Sequence, residues 1–262
     1  MIMPMSFHLF LLCAGSIVGF CSGLLGIGGG ILMFPLLFYM PPLLGFDLIG
    51  VKNITGLTMM QGFFASLSAS FFYNKHNLVN KSLVLTLGLS LFLSALIGSF
   101  VSKLVPDKLL LFIFGVLAFT ASVLMLIPRG YSHDDLTEDK VEFQKSWAIL
   151  IGISIGFLIG LVGQGGAFII IPLLLYVLKI PLRVALGSTL VIGLFSSSAG
   201  LVGKIATGQV PFQMTVALLL GAIPAAQLGS AVAKRTKSQY LRWILAAVII
   251  STAIKIWSDI FK

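Results

Sequence analysis

The chain carries one stretch of 21 residues twice. GFCSGLLGIGGGILMFPLLFY at 19–39 aligns without a gap to GFLIGLVGQGGAFIIIPLLLY at 156–176, with eleven identical positions. A duplicated unit constrains a fold strongly, because both copies must pack by related contacts. Beyond this block the offset between the copies changes from 137 to 131 residues and then holds. Lys52 matches Arg183, Gly56 matches Gly187, and Thr58 matches Thr189. Gly62, Phe64 and Ser66 match Gly193, Phe195 and Ser197; Gly98, Ser99, Val101 and Lys103 match Gly229, Ser230, Val232 and Lys234. The first copy's extra residues fall in 40–51, MPPLLGFDLIGV.

What each copy folds into follows from its apolarity. Hydrophobic residues make up 58% of the chain and charged residues 10%, with a mean hydropathy of +1.09. A soluble domain carries about 25% charged residues. The composition therefore excludes a soluble globular domain and a disordered chain. The net charge of +9 does not point to nucleic acid, because the basic residues sit at the ends of apolar segments. Loops on the inner side of a membrane account for them.

Ten apolar segments can be marked, at 6–26, 29–40, 48–73, 82–103, 108–127, 146–165, 167–179, 184–206, 212–233 and 238–258. Segments 29–40 and 167–179 are too short to cross a hydrocarbon core of about 30 Å. Each follows a glycine cluster. The expected chain path turns inside the protein at the glycines and returns as a half-helix. Irregular backbone at membrane depth is tolerated only where protein or a wet cavity surrounds it. The expected fold is an all-α polytopic membrane protein of about eight full transmembrane helices plus two short glycine-broken half-helices.

The polar stretch 128–145 contains Asp134, Asp135, Glu138, Asp139 and Glu142, five of the eight acids. It divides the chain into a first repeat, 1–127, a linker, 128–145, and a second repeat, 146–262. An odd number of segments per copy predicts that the copies sit inverted in the membrane. Inverted repeats are a transporter architecture, with substrate near the midplane at the repeat interface. Loops 74–81, 128–145, 179–183 and 234–242 carry the larger share of Lys and Arg and are expected on the cytoplasmic side. Both termini are then outside, in the inner (cell) membrane of a bacterium. Met1 to Met5 lack the basic residues of a signal peptide, so the first segment reads as a retained helix. Cys13 and Cys21 lie about 12 Å apart on it, beyond disulfide reach. His8, His76 and His133 read as interfacial.

The motifs GLLGIGGGILMFPLL and GLVGQGGAFIIIPLLL, the small-residue helix RVALGSTLVIGLFSSSAGLVGKI and the Gly-Ser, Val, Lys helix end of each half resemble the sulfite exporter TauE/SafE family of bacterial membrane transporters. The resemblance covers nearly the whole chain. It implies export, or uptake in some members, of small sulfur-containing anions such as sulfite, sulfoacetate or related organosulfonates. An uptake permease or channel of the same fold, or a non-transporting scaffold subunit, is the alternative reading.

An anion at the midplane needs donors and a positive potential. Glycine-rich turns opening a half-helix supply backbone N–H groups and the positive end of a helix dipole. Gly28, Gly29 and Gly30, with Gly165 and Gly166, occupy that place. Gln164 replaces Ile27 of the first copy, and a buried amide there needs a partner. Asn53, Thr55, Thr58 and Gln61 are the polar residues of segment 48–73 nearest the turn. Ser188, Thr189 and Ser197, with Ser196 and Ser198, match them in the second copy. Gln227 beside Pro224 is a further candidate. Packing alone is the competing account of the glycines, and local backbone bonding that of the hydroxyls. Lys52 and Arg183 read either as an electrostatic funnel for anions or as side chains reaching toward headgroups.

No acid lies clearly inside a segment, so a carboxylate proton relay is not expected. No enzyme constellation, nucleotide motif, cofactor or metal set is legible. The expected partners are the lipid bilayer and a small anionic substrate, without nucleic acid. A coupling ion (Na+ or H+) and a homodimer remain open.

Overall fold

The structure is a computed structural model that describes residues 4–74, 79–127, 143–163 and 167–260. Among the described residues it is helical, with no strand. The ten helices are α1 Met5–Leu25, α2 Gly30–Leu43, α3 Val51–Asn74, α4 Lys81–Val101, α5 Asp107–Leu126, α6 Lys145–Val162, α7 Ala167–Tyr176, α8 Leu182–Ala206, α9 Phe212–Arg235 and α10 Ser238–Ile260. They coincide with the ten apolar segments to within a few residues at most ends. One 3-10 turn, Ser102–Leu104, joins α4 to α5. The polar stretch between α5 and α6 lies mostly outside the described residues.

Local chemistry sets the boundaries. Helices α1, α5, α8 and α9 begin directly after Pro4, Pro106, Pro181 and Pro211. Proline lacks the N–H that a preceding helical turn would need. Asn80 caps α4 by accepting from Leu83 N at 2.8 Å. Helices α1 and α6 stop at Gly26 and Gly163, both left-handed, with φ of 67° and 75°. That conformation suits glycine and satisfies terminal carbonyls.

Among the described residues, seven helices are long and apolar enough to cross a membrane by length and composition: α1, α4, α5, α6, α8, α9 and α10. Helix α3 matches them in length, with 24 residues, but is more polar through its middle. Helix α2 has 14 residues and α7 has 10, as the two half-helices require. Exposed apolar rows fit a lipid-facing surface, such as Leu85, Leu89, Leu93 and Ile97 on α4.

The halves interlock. Helix α1 packs chiefly on α9, and α6 on α4. A methyl group on Gly15, Gly19 or Gly23 of α1 would overlap the carbonyl oxygens of Leu218, Ala222 or Ala226 on α9. One on Gly156 or Gly160 of α6 would crowd the backbone of Leu91 or Ala95 on α4, the positions that the repeat offsets predict. Small residues at fourth positions let helix backbones approach closely in lipid, where packing replaces the hydrophobic effect. The half-helices meet α5 through rings: Phe34 of α2 stands 4.9 Å from Phe114 of α5, and Phe114 stands 6.1 Å from Phe168 of α7.

The equivalent helices α3 and α8 cross at the centre and run antiparallel. Thr55 meets Lys204, Met59 meets Gly200, and Gly62 meets Ser197. Residue numbers rise along one helix as they fall along the other.

Candidate functional site

The first glycine turn lies against the middle of α3. Gly28 and Gly29 have φ of 64° and 79°, and Gly29 caps the start of α2. The turn leaves the first N–H groups of α2 without intrahelical acceptors. A methyl group on Gly29 would stand 2.5 Å from Gln61 Oε1 and 2.6 Å from its Nε2. The side-chain amide of Gln61 is therefore held directly against the turn. One on Gly62 would lie 3.2 Å from Gly28 O and 3.2 Å from Ser197 Oγ. Gln61, Gly28, Gly29 and Ser197 thus form one buried cluster where α3 crosses α8.

That cluster contains unspent polarity. Both amide atoms of Gln61 and the hydroxyl of Ser197 are buried with no hydrogen-bond partner among the described residues. The hydroxyl of Ser66, the repeat equivalent of Ser197, is likewise buried and unpartnered. Leaving a buried polar group unpaired costs about 1–3 kcal/mol. An apolar residue would pack here at no such cost. The arrangement offers two donors and an acceptor on Gln61, hydroxyls that can do either, and a helix N-terminus beside them.

The second turn begins at Gly163, and its remaining candidates, Gln164, Gly165 and Gly166, lie outside the described residues. A methyl group on Gly163 would be 2.5 Å from Thr55 Cβ. Thr58 donates its hydroxyl to Gly163 O, in a short bond, and also reaches Thr55 O at 2.9 Å. Correspondingly, a methyl group on Gly26 would be 2.8 Å from Leu186 O on α8. Each turn therefore leans on the starting third of the other half's central helix.

Other expected residues have different surroundings. Thr189 donates to Ala185 O of its own helix, and Ser188 Oγ accepts from Asn80 N at 3.0 Å. Both are buried, and both are committed to holding backbone. Ser196 and Ser198 also donate to carbonyls of their own helix. Asn53 is exposed, in a surface cleft with Phe7, Phe46 and Asp47, on the open side of the first turn of α3, between buried Val51 and Ile54. Gln227 is exposed too. Gly30 is buried in the first turn of α2.

Lys52 and Arg183 act alike, as their repeat relation predicts, but neither is a free charge. Lys52 Nζ donates to Lys103 O at 2.9 Å. Arg183 donates from Nη2 to Thr236 O at 3.2 Å and from Nε to Ser238 Oγ at 3.2 Å. Each pins the start of its central helix to the connection beside it.

Sequence reasoning missed Lys204. It counts by sequence among the basic residues at the ends of apolar segments, yet it is 0% exposed. Its Nζ donates to Thr55 Oγ1 at 2.9 Å, Gln209 Oε1 at 3.0 Å and Leu161 O at 3.4 Å, and to Ser102 Oγ in a short bond. The partners converge from α3, α6, the turn after α4 and the loop after α8. The available signal was its repeat position, which holds Tyr73 in the first half and therefore has no matching charge.

A family model described as "Sulfite exporter TauE/SafE" matches residues 11–256. The chain is 27% identical over 261 residues to the probable membrane transporter protein YunE of Bacillus subtilis, covering 94% of this chain and 95% of that protein. It is 30% identical over 260 residues to a probable membrane transporter protein of Xylella fastidiosa, covering 92% and 91%. A probable membrane transporter protein of Methanocaldococcus jannaschii is 27% identical over 249 residues, covering 91% of each chain. No solved structure matches the chain at a significant level.

Proposed function

We propose, from the premise that the chain belongs to the sulfite exporter TauE/SafE family, that this multi-pass membrane transporter exports small sulfur-containing anions such as sulfite or organosulfonates. The observation that carries the reading is the buried, unpartnered amide of Gln61 against the Gly28–Gly29 turn, with Ser197 beside it. A carrier benefits from polar groups left unsatisfied until the ligand arrives. An oxyanion accepts from amide, hydroxyl and backbone N–H alike, and these neutral donors release it again more readily than a contact ion pair.

Alternating access is the motion this arrangement favours. Helices α3 and α8 are repeat equivalents that run antiparallel, which supports an axis relating the halves that lies across the helices. In a membrane that axis lies in the bilayer plane, and the repeats are inverted. The turns at Gly26 and Gly163 lean toward the starts of α8 and α3, at opposite ends of the crossing pair. One half rocking against the other would expose the central cluster to each side in turn. Export of an anion is assisted by a negative interior, by about 2.3 kcal/mol per charge per 100 mV.

The reading is tested in proteoliposomes. Flux of labelled sulfite should be competed by sulfoacetate and other small sulfonates and insensitive to cations. Transport of cations or neutral metabolites alone would overturn the anion assignment.

A further inference from the structure

Lys204 is the one buried charge in the membrane-spanning part among the described residues, and its geometry suggests a role apart from the central cluster. We propose that Lys204 is the fixed positive charge that makes the pathway select anions, acting through its field and not by contact with the substrate. This rests on the anion-transport reading and adds the origin of its charge selectivity.

The hydrogen-bond set favours the charged form. Leu161 O and Gln209 Oε1 have no proton to give, and Thr55 spends its own proton on Lys52 O at 2.7 Å. Three of the four partner oxygens have no free proton, which suits the three N–H groups of an ammonium better than the two N–H groups and lone pair of an amine; Ser102 Oγ shares one of the three. Every partner is neutral. Asp47 and Asp107, at the same end of the helices, are exposed to the surroundings. The cage therefore solvates the cation without cancelling it. Because its N–H groups are occupied, the ammonium cannot seize an oxyanion in a contact pair. It can only raise the local potential, which favours binding and still permits release.

Its position suits that task. Leu161 is in the last turn of α6, and Thr55 touches Gly163, so the ammonium adjoins the second glycine turn. Ser197 lies seven residues earlier on α8, two turns away on the same face, about 10 Å along the axis. At that separation and an effective dielectric of about 20, a unit charge changes the affinity for a monovalent anion by roughly tenfold. The first half has Tyr73 at the equivalent position, so a buried charge of this kind stands at one end only, while the half-buried Lys52 and Arg183 start the two central helices.

Two variants separate charge from structure. Lys204→Met removes the charge and empties the cage. Gln209→Glu keeps the lysine and its cage but places a carboxylate against the ammonium; the Thr207 hydroxyl, now 2.8 Å from Gln209 Nε2, can turn to donate to the new oxygen. Purified wild type and variants would be compared in proteoliposomes for flux of methanesulfonate and of its neutral isostere methanesulfonamide. Both variants should lose roughly tenfold in the methanesulfonate-to-methanesulfonamide ratio. If Lys204→Met does not fold, Gln209→Glu alone decides. A merely structural lysine predicts an unchanged ratio in Gln209→Glu, and that result overturns the proposal while leaving anion transport standing. A wild type that moves neither sulfite nor methanesulfonate overturns both readings.

Discussion

Gly29 and Gln61 are in direct contact across the first broken helix: a methyl group on Gly29 would lie 2.5 Å from Gln61 Oε1. The contact joins the start of a half-helix to the midpoint of the central helix α3. Gly29→Ala would meet two penalties. At φ of 79° a Cβ costs about 1–2 kcal/mol, and the Gln61 amide must move. Transport should be lost while the protein still inserts. Adding Gln61→Ala should recover the part of the thermal stability lost to the clash, but not transport. Recovery of both would make the contact a packing feature only.

The two central threonines are repeat equivalents with unequal duties. Thr58 bonds the carbonyl of Gly163 in the other half, whereas Thr189 bonds its own helix at Ala185. Thr58→Val should destabilise by about 1–3 kcal/mol, since it strands a buried carbonyl. Thr189→Val should cost less than about 1 kcal/mol. Thermal unfolding of the two variants in one detergent checks the order, and equal shifts would contradict it.

Gly19 on α1 and Gly156 on α6 hold equivalent places against α9 and α4. Alanine at either should overpack its interface by about 1–3 kcal/mol, with similar losses in both halves. Folded yield and melting temperature should fall while the preference among substrates stays unchanged. A changed preference would assign these stripes to the pathway.

Orientation can be read chemically. Lys103 and Lys179 are exposed near opposite ends of the antiparallel central pair. With Cys13 and Cys21 replaced, Lys103→Cys should react with an impermeant thiol reagent from outside the cell. Lys179→Cys should react only after permeabilisation. The reverse pattern would place both termini in the cytoplasm.

Much of this was legible because apolarity and duplication are both one-dimensional signals. Ten runs of apolar residues became ten helices, and glycine clusters before Gly30 and Ala167 marked the breaks. The offsets of 137 and 131 also foretold contacts: Gly19 against Ala222 repeats as Gly156 against Leu91. Burial of individual polar groups was less legible, because it depends on which ends converge. Asn53 and Thr55 are two residues apart on one helix, yet one is exposed and the other wholly buried. Lys204 counts by sequence among the basic residues at segment ends. It is buried because α3, α6 and the turn after α4 close over it, which no window of sequence around it announces. Arg183 and Lys52 kept their predicted equivalence but bond carbonyls, since helix starts beside connections offer acceptors close by.

The most direct test of the account is the pair of measurements on Gln61→Leu: thermal stability in detergent and sulfite flux in proteoliposomes. Replacing a buried, unpartnered amide by an apolar side chain of similar size should leave stability unchanged or raise it by about 1–3 kcal/mol. Sulfite flux should fall at least about tenfold, the loss of one hydrogen bond to a charged ligand. A stable variant with undiminished flux would contradict the central claim that the anion is bound where the Gly28–Gly29 turn meets Gln61.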